Sequence, residues 1–94
     1  MASIGLLTLH LHINDSTSLK DKRRVLRALK DRLRGSLNVS VAELEFQDTW
    51  QRSVIGVVSI SSDENHTREV LQRAEHEAAR MLGAALTGSE TELL

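Results

Sequence analysis

Chemistry has few places to start in this chain. There is no Cys among its 94 residues, so thiolate nucleophiles, disulfides and Cys-ligated metals are excluded. His10 and His12, within IGLLTLHLHI (residues 4–13), stand two apart and would share one face of a strand, a spacing that suits two metal ligands. No third ligand follows, since Asp15 falls past the end of that strand, and no metal site is expected. His10 as a general base has no recognisable nucleophile to serve. Glu43 and Glu45 would share a face of the segment NVSVAELEF, on an edge open to solvent. Gly5, Gly35, Gly56, Gly83 and Gly88 form no phosphate loop and no dinucleotide fingerprint. The expectation is a protein that is not an enzyme, with no catalytic residues, no cofactor and no evident small-molecule substrate.

The residues that do stand out are cations. Residues 18 to 34 read SLKDKRRVLRALKDRLR, and eight of those seventeen are Lys or Arg. From Lys20 to Arg34 the eight cations meet only Asp21 and Asp31, a net +6. The rest of the chain carries four cations and eleven anions, a net −7, so the overall charge of −1 hides a segregation. A concentrated local charge steers association with partners of opposite sign, and phosphate is the commonest such partner. Five of the eight are Arg, which contacts phosphate in bidentate fashion and stacks on bases.

The elements that position these residues follow from hydrophobic periodicity. Residues 4–13 alternate, with Leu7, Leu9, Leu11 and Ile13 on one face. NDSTS reads as a loop. Ser18 is an N-cap with Asp21 three residues on, and Val25, Leu26, Leu29 and Leu33 recur at helical spacing. Gly35 is the expected stop of this helix. Residues 38–46 and 53–61 read as two strands joined by the short link QDTWQR. The second of these is apolar on both faces, with Val54, Val58 and Ile60 on one and Ile55 and Val57 on the other, as in a central strand covered on both sides. A second helix, capped by Ser62 or Asp63, carries Val70, Leu71, Ala74, Ala78, Met81 and Leu82 on its apolar stripe, and Gly83 ends it. The tail AALTGSETELL is expected to add a last strand, although Gly88 and Ser89 suit a strand poorly. The order β-α-β-β-α-β predicts one α+β domain over residues 1–94. It is a ferredoxin-like sandwich, two helices on one face of a four-stranded antiparallel sheet.

Placed at 100° per residue, the first helix turns Val25, Leu26, Leu29 and Leu33 toward the sheet. Lys20, Arg23, Arg24, Arg27, Lys30 and Arg34 fall within an outer arc of about 120°, interrupted only by Asp31. Lys22 lies near the apolar edge, where its stem is expected to snorkel outward. Most charge runs are simply solvated faces, and cations late in a helix complement its dipole. Lys20 to Arg24 lie in the first turns and oppose the dipole, so helix stability does not account for them. The outer arc of the second helix mixes Asn65, Arg68, Glu69, Gln72, His76 and Arg80, as a solvated face does. Trp50 and Arg52 are accessory contact candidates, with Trp50 either stacking on a base or, more commonly for Trp, folding back over the hairpin. The two central strands carry no aromatic, so base readout on the sheet face is disfavoured.

The combination SLKDKRR, NVSVAE, QDTWQR with an apolar Gly-containing strand after it, SSDENHTREVL and the TE of the tail resembles the YlxP-like family of small bacterial proteins. The resemblance covers nearly the whole chain and is most specific from Ser18 to Asp63. It implies a ferredoxin-like fold and an association with bacterial translation or ribosome maturation. It implies no activity, catalytic residue or cofactor. With no apolar stretch approaching the roughly 20 residues of a membrane span and no evident signal peptide, a cytoplasmic protein without a membrane partner is expected. The expected partners are RNA or the ribosome through the basic helix and a second copy through the open sheet face. The alternative is a homo-oligomeric interaction module whose basic helix binds an acidic protein.

Overall fold

Alternation of leucine with smaller or polar residues makes the first strand and fixes which side of it is buried. In the computed structural model, which describes residues 1–94, β1 (Ser3–His12) turns Leu7, Leu9 and Leu11 inward and leaves His12 exposed. β3 (Arg52–Ser61) runs antiparallel beside it, with Leu7 opposite Val57 and Leu9 opposite Ile55. β2 (Ser40–Glu45) and β4 (Leu86–Leu93) complete an antiparallel sheet of order β2-β3-β1-β4. Both central strands are therefore the most apolar ones, and both edges are polar.

Two helices, α1 (Leu19–Ser36) and α2 (Glu64–Leu82), cover one face. The core between the layers is aliphatic: Leu7, Leu9, Ile55 and Val57 from the sheet meet Leu26, Leu29, Leu33, Leu71, Ala74 and Ala78 from the helices. Burying each large aliphatic side chain contributes about 1.5–3 kcal/mol. At Gly5 the side chains of α2 pack directly on β1. A Cβ there would lie 2.6 Å from Leu71 Cδ1. The architecture is the ferredoxin-like sandwich that the order of elements predicts.

The helix ends show where local chemistry differs from expectation. Ser18 caps α1, its hydroxyl accepting from the Asp21 N–H at 3.0 Å. The Asp21 carboxylate does not return to the Ser18 N–H; it accepts from the hydroxyl and the N–H of Thr17. Gly35 is not the stop. The helix continues through Gly35 and Ser36 and ends where Leu37 turns extended, its N–H donating to the Leu33 carbonyl. With right-handed backbone at Gly35, the final turn satisfies its own carbonyls and needs no left-handed residue. α2 is capped by Asp63, whose carboxylate accepts from the Asn65 N–H. It ends at Gly83, which adopts φ 55, a conformation that suits Gly, and leads through a single 3₁₀ turn into β4. So Gly88 and Ser89 do not prevent the last strand: pairing with β1 carries it.

β2 is shorter than the sequence suggests, and a bulge lies between Glu43 and Glu45. The bulge inserts an extra residue and separates the two carboxylates. Glu43 faces the helices while Glu45 is exposed, so the pair does not share one solvent face. No helix is long and apolar enough to cross a membrane.

Candidate nucleic-acid interface

What orients α1 is a lysine. Lys22 does not snorkel outward; it is 1% exposed. Its Nζ donates to the carbonyls of Phe46 (2.6 Å), Arg52 (3.2 Å) and Gln47 (3.3 Å), and it pairs with Glu43 at 3.0 Å. Glu43 also accepts from the Ser53 hydroxyl at 2.6 Å. The first turns of α1 are thereby pinned to the β2–β3 hairpin. A buried ammonium is tolerated only when its donors and its charge are both answered, as here. The hairpin carbonyls gather because Phe46 takes φ 66, which turns the chain sharply just after the bulge.

Two further cations of α1 are occupied. Arg32 Nε donates to Glu77 Oε2 at 2.9 Å across to α2, and that bond holds the Glu77 carboxyl below its ordinary value of 4.5. Arg34 donates to the Val41 carbonyl at 3.0 Å on the edge strand. This leaves Lys20, Arg23, Arg24, Arg27 and Lys30, none of which forms an ion pair within the chain. Lys30 is half-buried and the other four are exposed.

The six cations singled out by helical projection do not form a single surface. Arg23, Arg27, Lys30 and Arg34 line one groove of about 330 Å³ between α1 and the β2 edge, with Asp31 and Glu43 as its acidic residues. Glu43 is already committed to Lys22, which leaves Asp31 alone against four cations. Arg24 lies round the helix beside a second cleft with Asp15 and Asp21. The Thr17 hydrogen bonds, opposed by partial burial and helped by the Arg24 charge, hold the Asp21 carboxyl below its ordinary 3.8. The groove row therefore runs Arg23, Arg27, Lys30, Arg34, at spacings of four, three and four residues. That is about 16 Å of helix at 1.5 Å per residue.

Trp50 does not fold back over the hairpin. It is 55% exposed at the hairpin tip, where an indole face is free to stack. Arg52 does not extend beside it; its guanidinium lies over the Phe46 ring, 4.2 Å from the centroid. His10 and His12 project on the helix-free side of the sheet, and His10 Nε2 is paired with Glu90 at 2.8 Å. No group of three or more His, Asp or Glu side chains gathers with metal-binding geometry.

Sequence reasoning missed Lys22 and Glu43 as a pair. The only trace of it is the position of Lys22 at the apolar margin of the helix, which by itself also fits a snorkelling side chain.

Comparison with known proteins agrees with this architecture. Residues 4–91 match the profile of a family described as Protein of unknown function (DUF503). The chain is 41% identical over 70 residues to the Uncharacterized protein YlxP of Bacillus subtilis (strain 168), a match spanning 74% of this chain and 76% of that one. Among solved structures it resembles a de novo designed protein with ferredoxin fold, LFR1 1, with a TM-score of 0.53 and 8% identity. That match covers all of this chain and 84% of the other. A dimeric ferredoxin-like protein of unknown function from Thermobifida fusca gives a TM-score of 0.50 and 15% identity over 97% and 90% of the two chains. A C-terminal segment of the alpha subunit of aIF2 from Pyrococcus abyssi gives 0.51 and 21%, over 98% of this chain and 48% of that one. At these identities the structural likenesses speak to fold alone.

Proposed function

Since the chain belongs to the family described as Protein of unknown function (DUF503), we propose its role from its own surface: it binds RNA, free or within the ribosome, and acts by docking rather than by catalysis. The observation that carries this reading is the set of five α1 cations with neither an ion pair nor a hydrogen-bond acceptor in the chain, three of which, Arg23, Arg27 and Lys30, line the groove beside β2 with Arg34. On α2, Arg68 finds Glu64 and Arg80 finds Glu77 on the same surface. Lys20, Arg23, Arg24, Arg27 and Lys30 of α1 do not, and phosphate supplies what is missing. Contact of this kind positions a backbone and carries no sequence preference. Trp50, exposed at the tip of the hairpin that Lys22 ties to α1, adds a stacking surface. The setting is the cytoplasm, where RNA is plentiful.

The test is a salt titration of affinity for a mixed-sequence RNA. Changing Arg23, Arg24 and Arg27 together to Gln is expected to weaken binding and to flatten the dependence of log K on log salt by about 0.7–0.9 per lost contact. Unchanged affinity would falsify the reading.

A second reading rests on a different observation. The helix-free face of the sheet exposes Ile60 (56%), Leu44 (47%) and Ile4 (36%), and Ile4 and Ile60 are cross-strand partners. Such a patch fits a second copy of the chain packed face to face. Sedimentation separates the two contributions. A dimer that persists in high salt and dissociates in I60K uses the sheet, whereas one that dissociates in high salt uses α1 against an acidic surface.

A further inference from the structure

At the end of the sheet away from Ile4 and Ile60, the helix-free face holds a hollow of about 350 Å³. His12 and Arg52 stand directly opposite each other across the β1–β3 pair, which places their Cβ atoms about 5 Å apart. Val54, 5% exposed, is at its floor. The Arg52 guanidinium is held over the Phe46 ring by a cation–π contact, 4.2 Å from the centroid. The Phe46 backbone is itself anchored, because its carbonyl accepts the shortest of the Lys22 hydrogen bonds. The contact with the ring leaves the guanidinium N–H donors unused within the chain, and two of them match two phosphate oxygens. Arg52 has no ion pair in the chain, and neither does His12. His10, on the same wall, is not free in this way, since Glu90 holds it.

We propose that this hollow is a phosphate-binding site, with Arg52 as the bidentate donor, the His12 ring as the opposing donor and Phe46 as the plate that orients Arg52. It lies on the face of the sheet opposite the helices, so it does not depend on the α1 groove and does not rest on the RNA reading. Its volume is at the small end of ligand pockets, which run about 300–1,000 Å³. That suits one phosphate and the group that carries it. The phosphate comes either from a small phosphate ester or from RNA.

The experiment is an NMR titration of the isotopically labelled full chain with inorganic pyrophosphate. Saturable shifts are expected at the Arg52 Nε–H, the His12 ring and the Phe46 ring. They are expected to persist when Arg23, Arg24 and Arg27 are all changed to Gln. Affinity is expected to fall at least about tenfold in R52Q, since a charge-assisted bond is lost. H12Q provides a second variant should R52Q disturb the hairpin, and the backbone amide spectrum reports whether each is folded. Shifts confined to α1, shifts that never saturate, or full affinity in both folded variants would each overturn the assignment. Competition with a short RNA, with and without a 5′-phosphate, then identifies the source. Displacement by both means a backbone phosphate, displacement by the phosphorylated one alone means a terminal monoester, and displacement by neither means a small ester.

Discussion

Replacing Lys22 by Met strips a buried carboxylate of its cation and three carbonyls of their donor at once. The expected cost is about 3 kcal/mol, toward the low end for a broken buried pair because Glu43 keeps some solvent contact. The urea midpoint measures it, and the double variant K22M/E43L is expected to lose less than the sum of the two single changes. A midpoint within error of the parent protein would show that the hairpin does not need this anchor. Asp21 allows a pH test of a different kind. Its carboxyl is held below 3.8 in the fold, chiefly by Thr17. A depressed carboxyl contributes stability that is present above its unfolded value and is lost as pH falls through the folded one. Asp21→Asn is therefore expected to destabilise the protein at neutral pH and to match it in acid below the folded value. A difference that stays constant down through that range would assign the effect to something other than the charge. Neither residue was fully legible in sequence. Helical projection places Lys22 on the apolar margin, but whether its ammonium turns out to water or in toward carbonyls is decided by Phe46, Gln47 and Arg52, which are 24 to 30 residues away.

Elements were easier to read than their ends. The 3.6 and 2 periodicities locate both helices and the first three strands because burial on one face demands those patterns. Where a helix stops depends instead on which group takes its last carbonyls, and Gly35 shows how that misleads. It is exposed, with nothing within 4 Å of where its Cβ would be, and its backbone is helical. Gly35→Ala is accordingly expected to stabilise the protein by about 0.5 kcal/mol, the lower end for a helical glycine because it sits in the last turn. Loss of stability would mean that the end of α1 is strained. The bulge in β2 was equally hidden. Alternation of Val41, Glu43 and Glu45 looks regular, and only pairing with β3 reveals the extra residue. Glu43 keeps the alternation of Val41 and so faces Lys22, while the bulge after it turns Glu45 away. The candidate groove inherits this: its cations were visible as types and spacing, but its second wall is the β2 edge, which only the packed sheet supplies.

Across the whole molecule, α1 lies along one flank of a body measuring 44 × 21 × 18 Å, and the remainder carries the opposing charge. A chain with charge so divided turns its basic side toward a polyanion before touching it. For the proposed docking on RNA, added salt is therefore expected to slow association far more than it speeds dissociation. Stopped-flow rates at two salt concentrations measure this, and an effect confined to dissociation would contradict it. The buried ammonium also has a chemical consequence. Lys20, Lys22 and Lys30 are the only lysines in the chain, and all three lie on α1. An acylating reagent that modifies amines should label Lys20 and Lys30 in the native protein and spare Lys22. The mass of the protein after a brief exposure thus becomes a gauge of whether the hairpin is seated on the helix. Each molecule in which it has lifted away would be marked by one additional acyl group.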